Sequence, residues 1–424
     1  MITDGRRRRS QVFLAAAIIL AAFATAGRAD SLASAQLVPA IAVPLPGYLQ
    51  ATADAAFGTP FTRVTQADAH LGAGLLCGKE RCRHRYSSAQ AWNADQSLLI
   101  IPIGCNGMCF LDGRSYAPLF RRWRSGECEW HPNNPEQMIC VSRSTISIWE
   151  PRTNVDQLLY ISNGYRELQF GPYKGNPSRD GRHIVIRAVA EGGGSVAFAY
   201  DLVARRKYPD IQLDRLPGRN NSCTISPLGI HVACFQHLLI GIDQAFIFTI
   251  DGRLVQSWIE HHRPGHGDMT VDADGSEVYV GISKSPPDLY QVIKRRLHDG
   301  AVTVLTAYGE AQHASIRSTR RPGWVFLTYG GDPANVARRP TWAPFAREVI
   351  AVRIDGSGEF RRVVQTASVP HDYWNEAQAS PSPDGSQVIW ASNWGVAGGP
   401  VFAFVARLQW PAETTTASQP VRDR

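Results

Sequence analysis

Histidine, tyrosine, asparagine and glutamine side chains recur just ahead of short apolar runs in this chain, at similar positions in successive segments. Five of its twelve histidines fall there. Such side chains transfer protons, bind metal ions or recognise sugar hydroxyls. If the fold brings these positions to one face, they form a ligand site. The candidate ligand-binding residues are His84, Tyr86, Asn93, Asn176, His266, Asp268, His313, Glu376 and Gln378.

A repeated strand-turn-strand phrase defines the elements that must position these residues. Its clearest copy contains the turn Asp384-Gly385, and weaker copies place Asp95, Asp180 and Asp274 at the same point. An Asp-Gly turn followed by β-branched and aromatic residues is a hairpin signal. Its repetition every few dozen residues indicates a propeller.

Seven repeat anchors predict seven blades. They lie 42 to 46 residues apart, except for a last interval of 66 that contains an insertion rich in Gly, Pro and Arg at 330–344. A four-stranded blade takes roughly 40 to 50 residues. We therefore predict an all-β fold, a single seven-bladed β-propeller whose last blade is completed by a strand from 57–64. The anchors are Trp92, Asn134, Asn176, Ser222, Gly267, Gln312 and Gln378.

The first 29 residues have the pattern of a secretory signal peptide. Arginines at 6–9 precede an apolar stretch at 12–24, which is too short to span a bilayer, and two small-x-small cleavage sites follow. We expect the mature chain to begin at Gly27 or Asp30, to have no membrane span, and to be periplasmic or secreted. Residues 30–56 are then a tether, 57–410 the propeller and 411–424 a C-terminal tail.

Most of the net charge belongs to this signal. The formal charge is +7, and the first 29 residues contribute +4 of it through five arginines and one aspartate, so +3 remains. A long chain with so small a charge has no electrostatic case for nucleic acid, and we predict none as a partner.

Eight cysteines agree with export, because an even number of cysteines in an oxidising compartment suggests disulfides. If 227–230 forms a hairpin loop, Cys223 lies directly opposite Cys234, and Cys128 and Cys140 flank a Pro-Asn-Asn-Pro turn in the same way. We predict both bonds. The other four are Cys77, Cys82, Cys105 and Cys109. They are expected to form disulfides either within each local pair or between the two pairs, and a zinc site is the alternative.

The phrase around Ser382-Pro383-Asp384-Gly385 resembles the repeat of Tol-type periplasmic β-propellers and of the related oligogalacturonate lyases. The lyase resemblance implies a divalent metal, manganese or calcium, held by histidines and a glutamine, with a lysine as base. The matching residues are His266, His313 and Gln378, with Lys174 as the base. The chain departs from the lyases where they carry a His-Pro-His string, since it has 376–381 as Glu-Ala-Gln-Ala-Ser-Pro.

Elimination without a metal is a second possibility. A base removes the C5 proton of a uronate while a cation holds its carboxylate, and His84 or Tyr373 is the candidate base with Arg187 as the cation. We therefore predict that the propeller binds or β-eliminatively cleaves an acidic oligo- or polysaccharide. The alternatives are a Tol-like propeller that binds an envelope protein without catalysis, and a structural propeller whose site has decayed. A monomer is expected.

Overall fold

The chain forms a ring of seven β-sheets around a central channel, the seven-bladed propeller that the repeat predicted. This computed structural model describes residues 34–170, 176–239, 242–260, 266–284, 286–369 and 371–411. The predicted signal peptide and most of the predicted C-terminal tail lie outside the described residues. Within the described ranges, no helix is long and apolar enough to cross a membrane.

Each blade begins with an innermost strand at the channel and ends with an outer strand at the rim. In blade one a short bridged segment at Trp92 takes the innermost place, and β6 (Leu98–Ile101), β7 (Met108–Asp112) and β8 (Pro118–Arg122) follow. Blade two contains β9 (Glu127–Trp130), β10 (Met138–Val141), β11 (Thr145–Glu150) and β12 (Val155–Ile161). Blade three contains β13 (Tyr165–Gln169), β14 (His183–Ala190), β15 (Ser195–Asp201), β16 (Arg206–Lys207) and β17 (Ile211–Gln212).

The next three blades repeat this antiparallel order. Blade four contains β18 (Arg219–Ile225), β19 (His231–Leu239), β20 (Ile242–Thr249) and β21 (Leu254–Glu260). Blade five contains β22 (Asp268–Val271), β23 (Glu277–Ile282), β24 (Val292–Arg296) and β25 (Val302–Val304). Blade six contains β26 (Ala311–Ser315), β27 (Trp324–Tyr329), β28 (Glu348–Arg353) and β29 (Phe360–Gln365).

Blade seven closes the ring with strands from both ends of the chain. It contains β30 (Ser380–Pro381), β31 (Gln387–Ser392) and β32 (Val401–Arg407), completed by β2 (Pro60–Arg63) and β1 (Ala51–Ala53). Phe61 pairs with Ala406 and Arg63 with Phe404, so the strand predicted at 57–64 does complete the last blade. The remaining elements are β3 (His70–Gly72), β4 (Leu75–Leu76), β5 (Arg81–Cys82), the α-helix α1 (Pro333–Arg338) and two 3-10 turns, Leu213–Arg215 and Tyr373–Asn375.

Apolar contacts between neighbouring blades hold the ring together. The described residues form seven buried hydrophobic clusters, and each one spans two adjacent blades. Because neighbours cover both of its faces, a middle strand is a continuous apolar run rather than an alternating one. In β31 every residue is buried. Burial on both faces explains why the sequence shows short hydrophobic runs at a fixed interval.

The four aspartates of the repeat occupy equivalent turns between the first and second strands, as predicted. Each carboxylate accepts a hydrogen bond from the backbone N–H two residues ahead, and the copies are Asp95, Asp180, Asp274 and Asp384. The following residue has a positive φ in every copy: Gly181, Gly275, Gly385 and, without glycine, Gln96.

Two of the seven anchors are out of phase with the others. Asn134 lies in the turn after β9 rather than ahead of it, and Asn176 follows β13. The count of blades is right because each anchor still falls in a separate blade. The insertion that lengthens the last interval lies between β27 and β28 and carries α1.

All eight cysteines are in disulfides. The two predicted bonds, Cys128–Cys140 and Cys223–Cys234, each join directly opposed residues with Cα atoms 4.1 Å apart. The other four pair locally, Cys77 with Cys82 and Cys105 with Cys109. Because these cysteines are in disulfides, they do not form the alternative zinc site. Four disulfides suit an oxidising compartment.

Part of the predicted tether is bound to the outside of blades six and seven. The Arg362 guanidinium donates to the carbonyls of Ser34 and Gln36. The side-chain amide of Gln365 donates to the carbonyl of Pro39. Further along, the Trp394 indole donates to the carbonyl of Val43. These contacts tie 34–43 to the propeller.

Candidate functional site

A short segment of chain crosses the central channel and divides it. The carbonyl oxygens of Ser87, Ser88 and Ala89 accept hydrogen bonds from Ser315 of blade six, Asn176 of blade three and Ser380 of blade seven. All three acceptor residues are buried. We call residues 86–90 the plug, the end of the channel where loops lead into the innermost strands the loop side, and the opposite end the turn side.

Aromatic and imidazole rings gather on the loop side of the plug. The rings of His266 and His313 stack with centroids 4.3 Å apart and planes 7° apart. The Tyr86 ring meets His313 edge-on at 5.3 Å, and the Tyr373 hydroxyl donates to that of Tyr86 at 2.8 Å. Four segments of the chain, from blades one, five, six and seven, therefore meet here. We call His266, His313, Tyr86, Tyr373 and Glu376 the mouth cluster.

His313 is the centre of this cluster and is fully buried. Its Nε2 lies 2.6 Å from Oε2 of Glu376, and its Nδ1 lies 3.5 Å from the hydroxyl of Ser87. A carboxylate accepts, so Nε2 carries the proton and Nδ1 has the lone pair. Ser87, His313 and Glu376 thus follow the order of a hydrolase triad, but Ser87 is only 1% exposed. A substrate has no access to its hydroxyl.

His266 differs from His313 because it is partly exposed. Its Nδ1 contacts the carbonyl oxygen of Gln312, which can only accept, so Nδ1 carries the proton and Nε2 the free lone pair. Burial, followed by the field of His313, lowers the pKa of His266 to about 3. Burial lowers the pKa of His313 to about 3 as well. Both imidazoles are neutral at physiological pH.

Arg83 fixes the loop that carries Glu376, and no sequence pattern predicted this role. Its guanidinium is buried and donates to the carbonyls of Trp374, Glu376 and His84 and to Oε1 of Gln378. All three guanidinium nitrogens therefore donate to the protein, and burial lowers the pKa of Arg83 to about 9. Arg83 holds the mouth in shape rather than meeting a ligand.

Lys284 is the second cation that sequence reasoning missed. It is partly exposed and lies close enough to affect the pKa values of His266, His313 and Glu376. Burial lowers its pKa, and the Glu376 carboxylate opposes that effect. Burial in turn raises the pKa of Glu376, against the fields of His266, Arg83 and Lys284. Lys284 follows a strand without a motif, so only the fold shows that it reaches the cluster.

Four other predicted site residues do not belong to the mouth cluster. His84 is fully buried, with Nε2 2.7 Å from the carbonyl of Gln378, which removes the access that a catalytic base needs. Asn176 holds the plug, whereas Asn93 caps the turn of blade one. Asp268 lies on the turn side and is paired with Arg317 at 2.7 Å.

Arg187, one of the two remaining catalytic candidates, does not join the cluster. Arg187 lies in β14 of blade three, across the ring from blades six and seven. Lys174 lies outside the described residues. The mouth cluster therefore retains Tyr373 as its one member of the predicted catalytic set among the described residues.

Comparison with known proteins adds to this geometry. No protein family profile and no curated protein matches the chain. Solved structures do. Oligogalacturonate lyase from Vibrio parahaemolyticus superposes with a TM-score of 0.56 at 9% identity, covering 85% of this chain and 96% of the lyase. An oligogalacturonate lyase in complex with manganese gives 0.55 at 15% identity, with the same coverage.

The chain shares its fold with the oligogalacturonate lyases. At these identities the likeness establishes the propeller and not the activity. A putative TolB from Agrobacterium tumefaciens matches more loosely, with a TM-score of 0.34 at 18% identity over 63% of this chain and 99% of the other.

The predicted metal ligands do not fit a manganese ion as they are placed. Oε1 of Gln378 accepts from Arg83 and its amide donates to the carbonyl of Tyr373. The lone pairs of His266 and His313 lie in parallel ring planes and do not converge on one point. Among the described residues, no three His, Cys, Asp or Glu side chains are grouped to hold a metal ion.

Proposed function

We propose that the mouth cluster binds an acidic oligosaccharide. The observation that carries the proposal is that Lys284, a partly exposed ammonium, lies close enough to two neutral imidazoles of the cluster to affect their pKa values. An ammonium pairs with a uronate carboxylate. The free Nε2 of His266 accepts from a sugar hydroxyl.

Aromatic surface and rigidity also favour a sugar. The Tyr373 and Trp374 rings meet edge-on at 5.7 Å in the loop ahead of blade seven, and both are partly exposed. Flat rings with a polar edge suit the apolar face of a pyranose. Arg83 holds this loop through the carbonyls of Trp374 and Glu376, so little ordering is needed on binding.

The low basicity of the accessible imidazole favours binding over cleavage. An efficient general base has a pKa near the working pH. His266, the accessible imidazole, has a pKa of about 3. A base four pKa units too weak makes proton transfer less favourable by about 5 kcal/mol. We therefore propose recognition of the acidic sugar as the main function, in a protein that works in the periplasm or outside the cell, where its four disulfides persist.

A comparison of matched sugars tests this function. Trigalacturonate and maltotriose are titrated into the purified mature protein, with and without a chelator. We expect saturable binding of the acidic trisaccharide alone, unaffected by the chelator. Absorbance of unsaturated products is followed in the same samples to detect elimination. Equal binding of the two sugars, or none of either, would contradict the proposal.

A further inference from the structure

The turn side of the channel holds a second chamber that the mouth cluster does not use. Its open space is about 1000 Å³ including the solvent at its mouth, within the range of small-molecule sites. All seven blades contribute to its walls, and Gln90 of the plug lies in its lining, where its amide donates to the carbonyl of Arg317 at 2.8 Å. The plug therefore has the mouth cluster at one end, through Tyr86, and this chamber at the other.

Arg317 is a buried cation of the chamber with one free nitrogen. The residue is 8% exposed, and its Nε and Nη2 donate to the two carboxylate oxygens of Asp268 at 2.8 and 2.7 Å. Asp268 also accepts from the backbone N–H of Ile316, which fixes the pair in place. Nη1 has no acceptor among the described residues and, unlike the sealed indole nitrogen of Trp130, it remains accessible to solvent. Because Arg317 lines the chamber, Nη1 offers its two N–H groups there.

The other ionisable groups of the lining do not compete for this nitrogen. Glu129 is paired with Arg85. Nδ1 of His131 accepts from two backbone N–H groups, and burial lowers the pKa of this imidazole, so it is neutral. Arg179 is exposed and has no carboxylate partner among the described residues. Both carboxylates of the lining are therefore paired with an arginine, and the surplus charge of the lining is positive, which favours an anion.

Apolar surface lies next to the free nitrogen. Met269 and Val271 line the chamber from the same strand as Asp268, β22, and Ile316 lines it directly beside Arg317. Val271 is partly exposed. A ligand held by Nη1 can therefore bury an apolar body against this part of the wall.

We infer that this chamber binds a small organic carboxylate with an apolar, ring-sized body. A carboxylate oxygen accepts from Nη1 of Arg317, and the body packs on Met269, Val271 and Ile316. Hydrogen bonds between ionised groups are roughly twice as strong as neutral ones, so the carboxylate is preferred to an uncharged acceptor. The inference goes beyond the proposed function and does not depend on it, because it uses no residue of the mouth cluster.

Titration calorimetry with three matched compounds tests the inference. Cyclohexanecarboxylate is the probe, cyclohexanecarboxamide is its neutral isostere, and acetate has the charge without the ring. We expect saturable binding of the probe. The amide and acetate should bind at least about tenfold more weakly, because the amide lacks the charge and acetate lacks the buried ring.

Two variants that share one substitution isolate the role of Arg317. Asp268→Asn keeps an acceptor for the Ile316 N–H but removes the negative charge that opposes an anion, so the probe should bind several-fold more tightly. Adding Arg317→Met to Asp268→Asn removes the donor, and affinity should fall at least about tenfold below that of the parent protein. The double variant leaves no unpaired charge from this pair in the chamber, so we expect it to fold.

Arg320→Met is the matched control, because Arg320 is exposed and lies outside the chamber. Its affinity should equal that of the parent protein. Absence of saturable binding, equal binding of the amide, or equal affinity in Asp268→Asn and the double variant would overturn the inference. An affinity in Asp268→Asn no higher than that of the parent would also overturn it, which keeps the test decisive if the double variant folds poorly. Loss of binding in Lys284→Met would place the probe at the mouth cluster instead.

Discussion

Nε2 of His313 lies 2.6 Å from Oε2 of Glu376, so the first strand of blade six is joined to the loop ahead of blade seven. His313 also stacks on His266 of blade five and receives the ring edge of Tyr86 from the plug. One buried imidazole therefore connects four parts of the chain at the channel mouth. Its protonation state bears on both stability and ligand binding.

The pKa of His313 predicts a pH-dependent stability. Burial lowers it to about 3, against about 6.5 in an unfolded chain, so the unfolded state binds more protons between these values. The free energy of unfolding should therefore rise with pH over this window, by up to about 1.4 kcal/mol per pH unit from this group. Urea titrations of the parent and His313→Gln, whose amide still donates to Glu376, measure the difference. A difference that stays constant with pH would be inconsistent with a buried neutral imidazole.

Arg83 should matter more to stability than its neighbour Arg81. Arg83→Met leaves three carbonyls and Oε1 of Gln378 without their donor, and we expect it to lower the free energy of unfolding by about 3 kcal/mol. Arg81→Met removes a surface ion pair with the exposed Glu80 and should cost less than about 1 kcal/mol. Denaturant unfolding compares the two. Equal losses would mean that the buried clamp is not formed.

Alanine substitution should affect stability differently at two glycines, one of which lies in a repeat turn. Gly275 has a φ of +84°, whereas Gly192 has no left-handed φ, and a Cβ on either would meet nothing within 4 Å. Gly275→Ala should therefore destabilise the protein by about 1 kcal/mol through backbone strain alone. Gly192→Ala should change stability by less than about 0.5 kcal/mol. Thermal or urea unfolding decides, and a harmless Gly275→Ala would show that the turn differs from the one described.

The cross-strand disulfides should each contribute to stability. Cys223 and Cys234 close a loop with a sequence separation of 11, and replacing both by alanine should cost about 3 kcal/mol by the chain-entropy estimate. Peptide mapping without reduction should also find Cys77 joined to Cys82 and Cys105 to Cys109. Peptides that join Cys77 or Cys82 to Cys105 or Cys109 would refute the local pairing.

The sequence predicted the ring because its signals are local and repeated. The turns of Asp95, Asp180, Asp274 and Asp384 each need only neighbouring residues, and the hairpin of Cys223 sets its own register. The place of Asn134 within its repeat was harder to predict, because an asparagine suits the turn after a first strand as well as the loop ahead of it.

The site was predicted only in part, because burial and long-range contacts leave little mark on a sequence. His266, His313, Tyr373 and Glu376 do meet, since their shared phase brings them to the loop side. Gln378 shares that phase, but its side-chain oxygen accepts a hydrogen bond from Arg83, which is nearly three hundred positions away in the chain. The plug has no motif, because its backbone carbonyls rather than its side chains make most of the contacts.

Titration calorimetry of trigalacturonate into the parent protein, Lys284→Met and Lys79→Met tests the central claim most directly. Lys284 is partly buried beside the mouth cluster, and Lys79 is exposed. We predict saturable binding that is about tenfold weaker in Lys284→Met, because a charged hydrogen bond to the uronate is lost, and unchanged in Lys79→Met. Equal affinity of the parent and Lys284→Met, or no saturable heat with the parent, would contradict the account.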